Sequence, residues 1–484
     1  MPYEPTIGLE LHIELKTLSK MFCSCPNDPD EKQPNVNVCP ICLGHPGTLP
    51  VINEAAVRAV IKTGLALSCQ IPEHSKFDRK NYFYPDLPKG YQISQYDEPL
   101  CLNGSLEIDG KKIRIRRIHL EEDTGRLQHP EGEKYSLVDF NRAGVPLMEL
   151  VTEPDIVSAK EARKFSEELQ LILRYLNVSA ADMEKGQMRC EVNISLSEPG
   201  AELGTKVEVK NLNSFRVVEK STEFEIGRQT EILENKGEIK QETRGWNDKK
   251  GATVSQREKE AAHDYRYFPE PDLPSLRLGA LDFVAPIKAE IPELPQERRA
   301  RLTLEYGIKT AEAEIFTVNK DLGEYFEKVV SELAEWAKAK EIGDMKIAQT
   351  AANYLVSDLM GLFEGVGFSA LNCPITAENF AEFISIVHKG EISSKIAKSL
   401  LLEMFKTGDD PSRIIEEKGL SQMTDVSEIE KAVKEIIGQN PKAVADFKAG
   451  KQNVLQFLVG AAMAKTKGLA EPNTLRELFK KLLN

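Results

Sequence analysis

The chain predicts an α+β protein with an antiparallel sheet, followed by an all-helical region. Three observations carry this. Ile7–Leu15, Arg189–Leu196 and Lys206–Lys210 alternate apolar and other residues at the two-residue period of a strand. Long stretches between them repeat apolar residues at three and four, yet strands and helices do not alternate as regular βαβ units would. Beyond about residue 293 no strand pattern runs longer than a few residues.

Taken in order, Ile7 to Leu15 puts Glu10, His12 and Glu14 on one face of a strand. Cys23-Ser-Cys25 and Cys39-Pro-Ile-Cys42 follow, and two such close pairs can present four thiolates to one Zn²⁺. Disulfides or free thiols are the alternative, and disulfides are rare in cytosolic chains. The remaining cysteines, Cys69, Cys101, Cys190 and Cys373, stand singly among apolar residues and are expected in the core. Val51 to Leu67 is helical, with Val57, Val60, Ile61 and Leu65 on one stripe.

Residues 77–92 form a loop dense in aromatic, basic and proline residues, either a binding loop or a packed one. Lys111 to Glu121 is a strand whose phase slips at Arg116-Arg117; a β-bulge there would re-aim His119 and Glu121. Asp139 to Val151 is apolar with a proline, which predicts an edge or bulged strand. Ser158 to Glu161 is a capping box opening a helix with the stripe Phe165, Leu169, Ile172, Leu173, Leu176. Phe215 to Lys236 is a second helix, stopped by Gly237. Residues 263–274 are a second aromatic, basic, proline-rich loop, and Pro269 to Pro295 suggests a linker. Gly408 to Pro411 suggests a hinge.

The chemistry concentrates around His119-Leu-Glu-Glu-Asp-Thr-Gly-Arg126. Three adjacent carboxylates repel one another unless water or a cation stands among them. A solvated acidic turn is the plainer reading. Against it, Glu10, Glu191 and Glu208 occupy the polar faces of separate strands, and one open sheet face could gather them. Hard oxygen donors with one imidazole suit Mg²⁺ bridged to phosphate. Half-exposed strands with ordinary surface charge remain the alternative.

Length and composition bound the rest. A chain of 484 residues has room for about two to four domains. The net charge of −13 argues against wholesale coating of nucleic acid, but from Lys434 onward nine Lys/Arg face four Asp/Glu, a local basic tail. Met1 to Glu10 has no apolar run and Phe457 to Ala464 is too short to cross a bilayer, so a cytoplasmic protein is expected. Neither a Walker-type nor a dinucleotide-binding glycine motif is present, so a nucleotide would be held through metal and carboxylates.

Ile7-Gly-Leu-Glu-Leu-His12, Phe77 to Asp86, His119 to Gly125, Asp139 to Glu149, Val209-Lys-Asn-Leu-Asn-Ser-Phe215 and Asp264 to Asp272 together resemble the B subunit of the tRNA-dependent aspartyl/glutamyl-tRNA(Asn/Gln) amidotransferase, the GatB family. Glu191 stands where that family more often has Asp. The resemblance implies a glutamine-synthetase-like cradle over 1–292 with a zinc-binding insertion at 23–42. It implies a helical domain over 293–410 and a tRNA-binding tail over 411–484. It implies ATP-dependent phosphorylation of the side-chain carboxylate of mischarged Glu-tRNA(Gln) or Asp-tRNA(Asn), then amidation. Ammonia would come from an amidase partner, with a small third protein completing a heterotrimer.

The expected catalytic residues are Glu10, Glu121 and Glu122. The Mg²⁺ ligands are drawn from Glu10, His12, Glu122, Glu191 and Glu208, and the Zn²⁺ ligands are Cys23, Cys25, Cys39 and Cys42. Arg79, Lys80, Tyr82 and Arg266 are expected to bind nucleotide or the acceptor end. A zinc-containing RNA-binding module without catalysis, and a free-standing amide ligase, are the competing readings.

Overall fold

The structure is a computed structural model. It describes residues 3–258, 264–279, 281–340, 345–363, 365–420, 426–448, 451, 453–466 and 469–483. His263, the first residue of the second aromatic loop, and Lys467 of the basic tail lie outside the described residues. The chain divides into two compact units, 1–294 and 295–484.

The first unit is built on an eight-stranded sheet: β1 (Glu4–Glu14), β2 (Cys101–Ile108), β3 (Lys111–Glu122), β4 (Pro146–Thr152), β5 (Met188–Ser197), β6 (Val207–Leu212), β7 (Glu242–Asn247) and β8 (Ala252–Glu258). Their order is β8-β7-β6-β5-β1-β4-β3-β2. Every pairing is antiparallel except β6 with β7, so the sheet is mixed. One face of the sheet is apolar. Ile7, Leu9, Leu11 and Ile13 of β1 are fully buried in one cluster with Ile194 of β5 and Leu150 of β4. Helices α1 (Glu54–Ala66), α2 (Ala159–Tyr175) and α3 (Phe215–Glu234) supply Val60, Ile61, Phe165, Leu169, Leu173 and Val218 to the same cluster. The other face carries the charged positions of the same strands.

The helix starts follow their sequence signals. The Asn53 side chain caps α1 at 3.0 Å from the Ala55 N–H. The Ser158 hydroxyl accepts from the Glu161 N–H at 3.2 Å, and the Glu161 carboxylate accepts from the Val157 N–H at 3.1 Å, a capping box displaced by one residue.

Two expectations are corrected. The segment with Pro146 is not an edge: β4 lies in the sheet interior between β1 and β3. Pro146 is the first residue of the strand, where a missing N–H removes no interior ladder bond. The stretch 269–295 is not a bare linker either. Phe268–Pro269 pairs with Asp78–Asn81, and Leu276–Arg277 pairs with His74–Ser75. Leu278 and Ile287, the latter in α4 (Leu281–Ala289), are buried in the first unit's core.

In the second unit, α5 (Pro295–Tyr306), α6 (Thr310–Val318), α7 (Lys320–Lys340), α8 (Met345–Asn353), α9 (Ala377–His388), α10 (Ser394–Thr407) and α11 (Pro411–Lys418) surround one cluster that includes Phe316, Phe326, Phe380 and Leu400. Residues 408–411, the expected hinge, form a capped turn. Gly408 ends α10 in the left-handed conformation, Asp410 caps α11, and Ile414 of α11 is buried in the same cluster. A separate cluster holds Val433, Leu458, Leu475 and Phe479 from α12 (Val426–Gln439), α14 (Asn453–Lys465) and α15 (Pro472–Leu483), with Val444 of α13 (Pro441–Lys448) packed against it. No helix among the described residues is long and apolar enough to cross a membrane.

Candidate active site

The polar sheet face is organised by register. His12 of β1 stands opposite Glu149 of β4, and Glu149 stands opposite His119 of β3, so three residues form a row across three strands. On the other side of β1, Glu10 faces Glu191 of β5, and Asn193 of β5 faces Glu208 of β6. Side chains opposite one another in a ladder are held within contact distance by the backbone itself.

The expected slip in β3 is present as a bulge between Ile115 and Arg117. Ile113 and Ile115 lie in the core before it, and Ile118 and Leu120 after it. One extra residue therefore keeps the apolar positions on the core side in both halves and turns His119 and Glu121 onto the polar face.

The first cluster is His12, Glu121 and Glu149, each offering a ligand atom within 4.8 Å of the others. His12 Nε2 lies 3.5 Å from Glu149 and 3.8 Å from Glu121, and His119 Nε2 lies 3.2 Å from Glu149. The Ser94 hydroxyl donates to Glu121 at 3.2 Å. Burial opposes the charge on His12, but the Glu149 and Glu121 carboxylates outweigh it and push the imidazole up to about 9. Glu149 is held well below the usual carboxylate range: burial raises it, but the two histidines prevail.

The second cluster is Glu10, Glu191 and Glu208, gathered just as closely. Burial, and then the charges of Glu149 and Glu191, raise Glu10 above its ordinary value against a 2.8 Å hydrogen bond from Asn193. The Lys210 ammonium lies 2.8 Å from Glu191 and 3.3 Å from Glu208, and the Thr243 hydroxyl donates to Glu208 at 2.9 Å.

A third group closes the row and is internally paired. The Arg142 guanidinium reaches Asp123 at 2.6 Å and Glu14 at 3.2 Å, and Arg189 reaches Asp123 at 3.1 Å. Against burial, Arg189 and Arg142 hold Asp123 at about 2.

The structure does not bring Glu122 to either open cluster. Its carboxylate accepts from the Lys89 ammonium at 2.6 Å and from the Ile93 N–H at 3.0 Å. That pair lines a small cavity together with Cys23, Cys42 and Gly144. Glu149, at the centre of the first cluster, was missed by sequence reasoning; the signal for it was the single acid in Pro146-Leu-Met-Glu-Leu-Val151.

Of the loop residues, Arg79 is engaged in a bidentate pair with Glu270 at 2.7 and 2.8 Å and stacks on Tyr91. The Lys80 ammonium lies over the Tyr265 ring at 5.0 Å and the Tyr82 ring at 5.9 Å. Burial would discharge it, but Glu121, the Tyr267 phenol and Glu149 keep its pKa above the ordinary value. Tyr82 and Arg266 line an open groove with Phe83, Tyr84 and Tyr265. Arg266 is exposed, with a left-handed φ of 45°.

The four grouped cysteines come together with their sulfurs within 4.8 Å, a tetrathiol metal site compatible with zinc. The Cys39 N–H donates to Cys42 Sγ at 3.1 Å. A hydrogen bond from Cys23, the Cys39 N–H and the Lys20 ammonium hold the Cys42 thiol down at about 4 against burial. Lys20 is fully buried, its Nζ 3.8 Å from Cys42 Sγ and 3.2 Å from the Phe140 carbonyl.

A sheet face that gathers two carboxylate clusters has hard oxygen donors of the kind that suit cations bridged to phosphate. The chain belongs to the GatB family: residues 5–282 match the GatB/GatE catalytic domain and residues 324–483 match the GatB domain. Three relatives are each the B subunit of an aspartyl/glutamyl-tRNA(Asn/Gln) amidotransferase. That of Persephonella marina is 48% identical over 488 aligned positions, covering 100% of both chains. That of Thermotoga maritima is 47% identical, covering 100% of this chain and 99% of its own. That of Carboxydothermus hydrogenoformans is 47% identical, covering 99% and 98%.

Proposed function

We propose that this chain is the activating component of a tRNA-dependent amidotransferase, converting mischarged Glu-tRNA(Gln) or Asp-tRNA(Asn) to the amide form at the expense of ATP. The observation that carries the reading is the pair of carboxylate clusters on one sheet face, in a chain nearly half identical to the amidotransferase relatives throughout its length. A carboxylate resists amide formation because oxide is a prohibitive leaving group. Attack of its oxygen on the γ-phosphorus of ATP releases ADP and leaves an acyl phosphate. Ammonia then adds to the acyl carbon, the C–O bond to phosphate breaks, and the nitrogen sheds a proton to leave the amide and inorganic phosphate.

Glu10, Glu191 and Glu208, with Glu121 and Glu149, would hold Mg²⁺, and His12 would join them only on giving up its proton. When bound, Mg²⁺ supplies charge neutralisation to the phosphates. The chain's own groups do the rest. Lys80 brings a fixed positive charge beside Glu121 and Glu149, and would offer it to phosphoryl oxygens. Glu149 fixes His12 and His119 in orientation through the ladder register. Ser94 orients Glu121. Glu122 we assign to positioning through Lys89 rather than to the reacting atoms. Tyr82, Tyr84 and Arg266 offer ring faces and a guanidinium to a base of the nucleotide or the acceptor end.

Zn²⁺ at Cys23, Cys25, Cys39 and Cys42 has a structural role, since four thiolates leave no open position. An amidase partner supplies ammonia from glutamine, and a small third protein completes the heterotrimer. The sequence-based division into cradle (1–292), helical domain (293–410) and tRNA-binding tail (411–484) belongs to this proposal, with the tail's start moved beyond α11, whose Ile414 packs in the helical cluster, and with exposed Lys442, Lys448, Lys480 and Lys481 offered to phosphates.

The test is amidation of each mischarged tRNA by the assembled complex carrying Glu10→Gln or Glu149→Gln. Loss of tRNA-dependent ATP hydrolysis and amidation, with glutamine hydrolysis retained, is expected. Wild-type amidation by both variants would place the chemistry elsewhere.

A further inference from the structure

We propose that Lys210 is the resident counter-ion of the Glu10–Glu191–Glu208 cluster, and that a divalent cation must displace its ammonium to enter. The proposal rests on the reading of that cluster as a cation site. Three carboxylates lie together there, and like charges at such spacing repel strongly where water is sparse. Lys210 bridges two of them, 2.8 Å from Glu191 and 3.3 Å from Glu208, and so spans β5 and β6. It is carried by the strand of Glu208 itself, two residues on, while its side chain stays 37% exposed. That exposure matters: a fully buried ammonium would be a permanent strut, whereas this one has solvent to swing into.

The remaining contacts are arranged so that the carboxylates stay put when it leaves. Thr243 holds Glu208, and Asn193 holds Glu10. The Asn193 side-chain carbonyl oxygen is buried without a partner, a spare hard donor beside the same three acids. With Lys210 in place the group carries two net negative charges; a divalent ion that replaces the ammonium among the oxygens leaves one. Lys210 is thus a positioning residue that keeps the acids assembled in the empty state and sets how readily the site loads.

Mn²⁺ binding to the nucleotide-free full chain tests this, read by electron paramagnetic resonance of the free ion, with thermal melting to show that each variant is folded. Glu10→Gln should abolish or weaken the Mn²⁺ site; unchanged binding in that variant overturns the cation-site reading itself. Lys210→Met should bind Mn²⁺ about tenfold or more tightly than the parent, because one competing charge a few ångström from the ion is gone. Lys210→Arg, which keeps the charge, should bind like the parent. If a folded Lys210→Met binds Mn²⁺ equally or more weakly while Glu10→Gln loses it, the lysine is a structural tie and the counter-ion proposal falls alone. Tightening by Lys210→Arg as large as that by Lys210→Met would likewise overturn it, since charge would not be the cause.

Discussion

Replacing Glu149 by Gln keeps the shape of the side chain and removes the charge between His12 and His119. His12 stands at about 9 in the native chain, from an ordinary value of 6.5, because Glu149 and Glu121 overcome burial. A displacement of that size corresponds to roughly 3 kcal/mol of interaction favouring the protonated ring. Its folded pKa lies above its unfolded one. The stabilisation is therefore complete below about pH 6.5 and is lost as pH rises through about 9. Without Glu149, burial works against the charge with only Glu121 and Glu191 opposing it, and the ring should titrate below its native value by one to two units or more, on the order of 1.4 kcal/mol for each. The measurement is a titration of ¹³C-labelled histidine rings in Mg²⁺-free buffer, with thermal melting across pH 6 to 10. The native protein should lose stability between about pH 6.5 and 9, and Glu149→Gln should show a flatter profile. A His12 ring that still titrates near 9 in Glu149→Gln, or near 6.5 in the parent, would refute the electrostatic account of the row.

Purified chain should carry one tightly held metal per molecule at the tetrathiol site, and Cys39→Ser with Cys42→Ser should lose it and melt at lower temperature; elemental analysis that finds no metal in reduced parent protein sinks the assignment. Deleting Arg116 removes the bulge and drives His119 and Glu121 toward the core face, at a cost of several kcal/mol, so the variant should melt far below the parent or fail to fold, whereas Arg116→Ala should stay close to it. Ending the chain at Leu420 removes the last hydrophobic cluster intact and should weaken tRNA binding and flatten its salt dependence; a truncated complex with unchanged affinity in a filter-binding assay would assign the tail no role in tRNA recognition.

Much of the candidate site was legible because alternation is a strong signal. Glu10, His12, Glu191 and Glu208 fall on polar faces that strand periodicity alone defines, and the phase slip in β3 announced its bulge. Glu149 escaped because Pro146 made its segment look like an edge, and because a strand flanked on both sides reads as a continuous apolar run. Glu122 was grouped with Glu121 by adjacency, although neighbours in a strand point to opposite faces, and its carboxylate is fixed by Lys89 and the Ile93 N–H, 33 and 29 residues away. The engagement of Arg79 by Glu270 spans 191 residues and leaves no local trace. The stretch 269–295 misled for the opposite reason: its prolines suggested a spacer, while its few apolar residues, Leu278 and Ile287, belong to the core.

Lys20 has a further consequence. It is a charge sealed from water whose nearest acceptors are a sulfur of the tetrathiol group and the carbonyl of Phe140. The following segment runs through Gly144, which bonds Met21 at 2.7 Å and adopts a φ of 87°, into the start of β4. As long as Cys42 is anionic, the ammonium has a partner. Protonate that sulfur, and the buried ammonium keeps only the Phe140 carbonyl as an acceptor, at a cost of several kcal/mol. The turn that carries that carbonyl leads into the strand bearing Glu149. A loop with no catalytic group of its own is thus tied, through one buried lysine, to the turn that precedes the strand of Glu149.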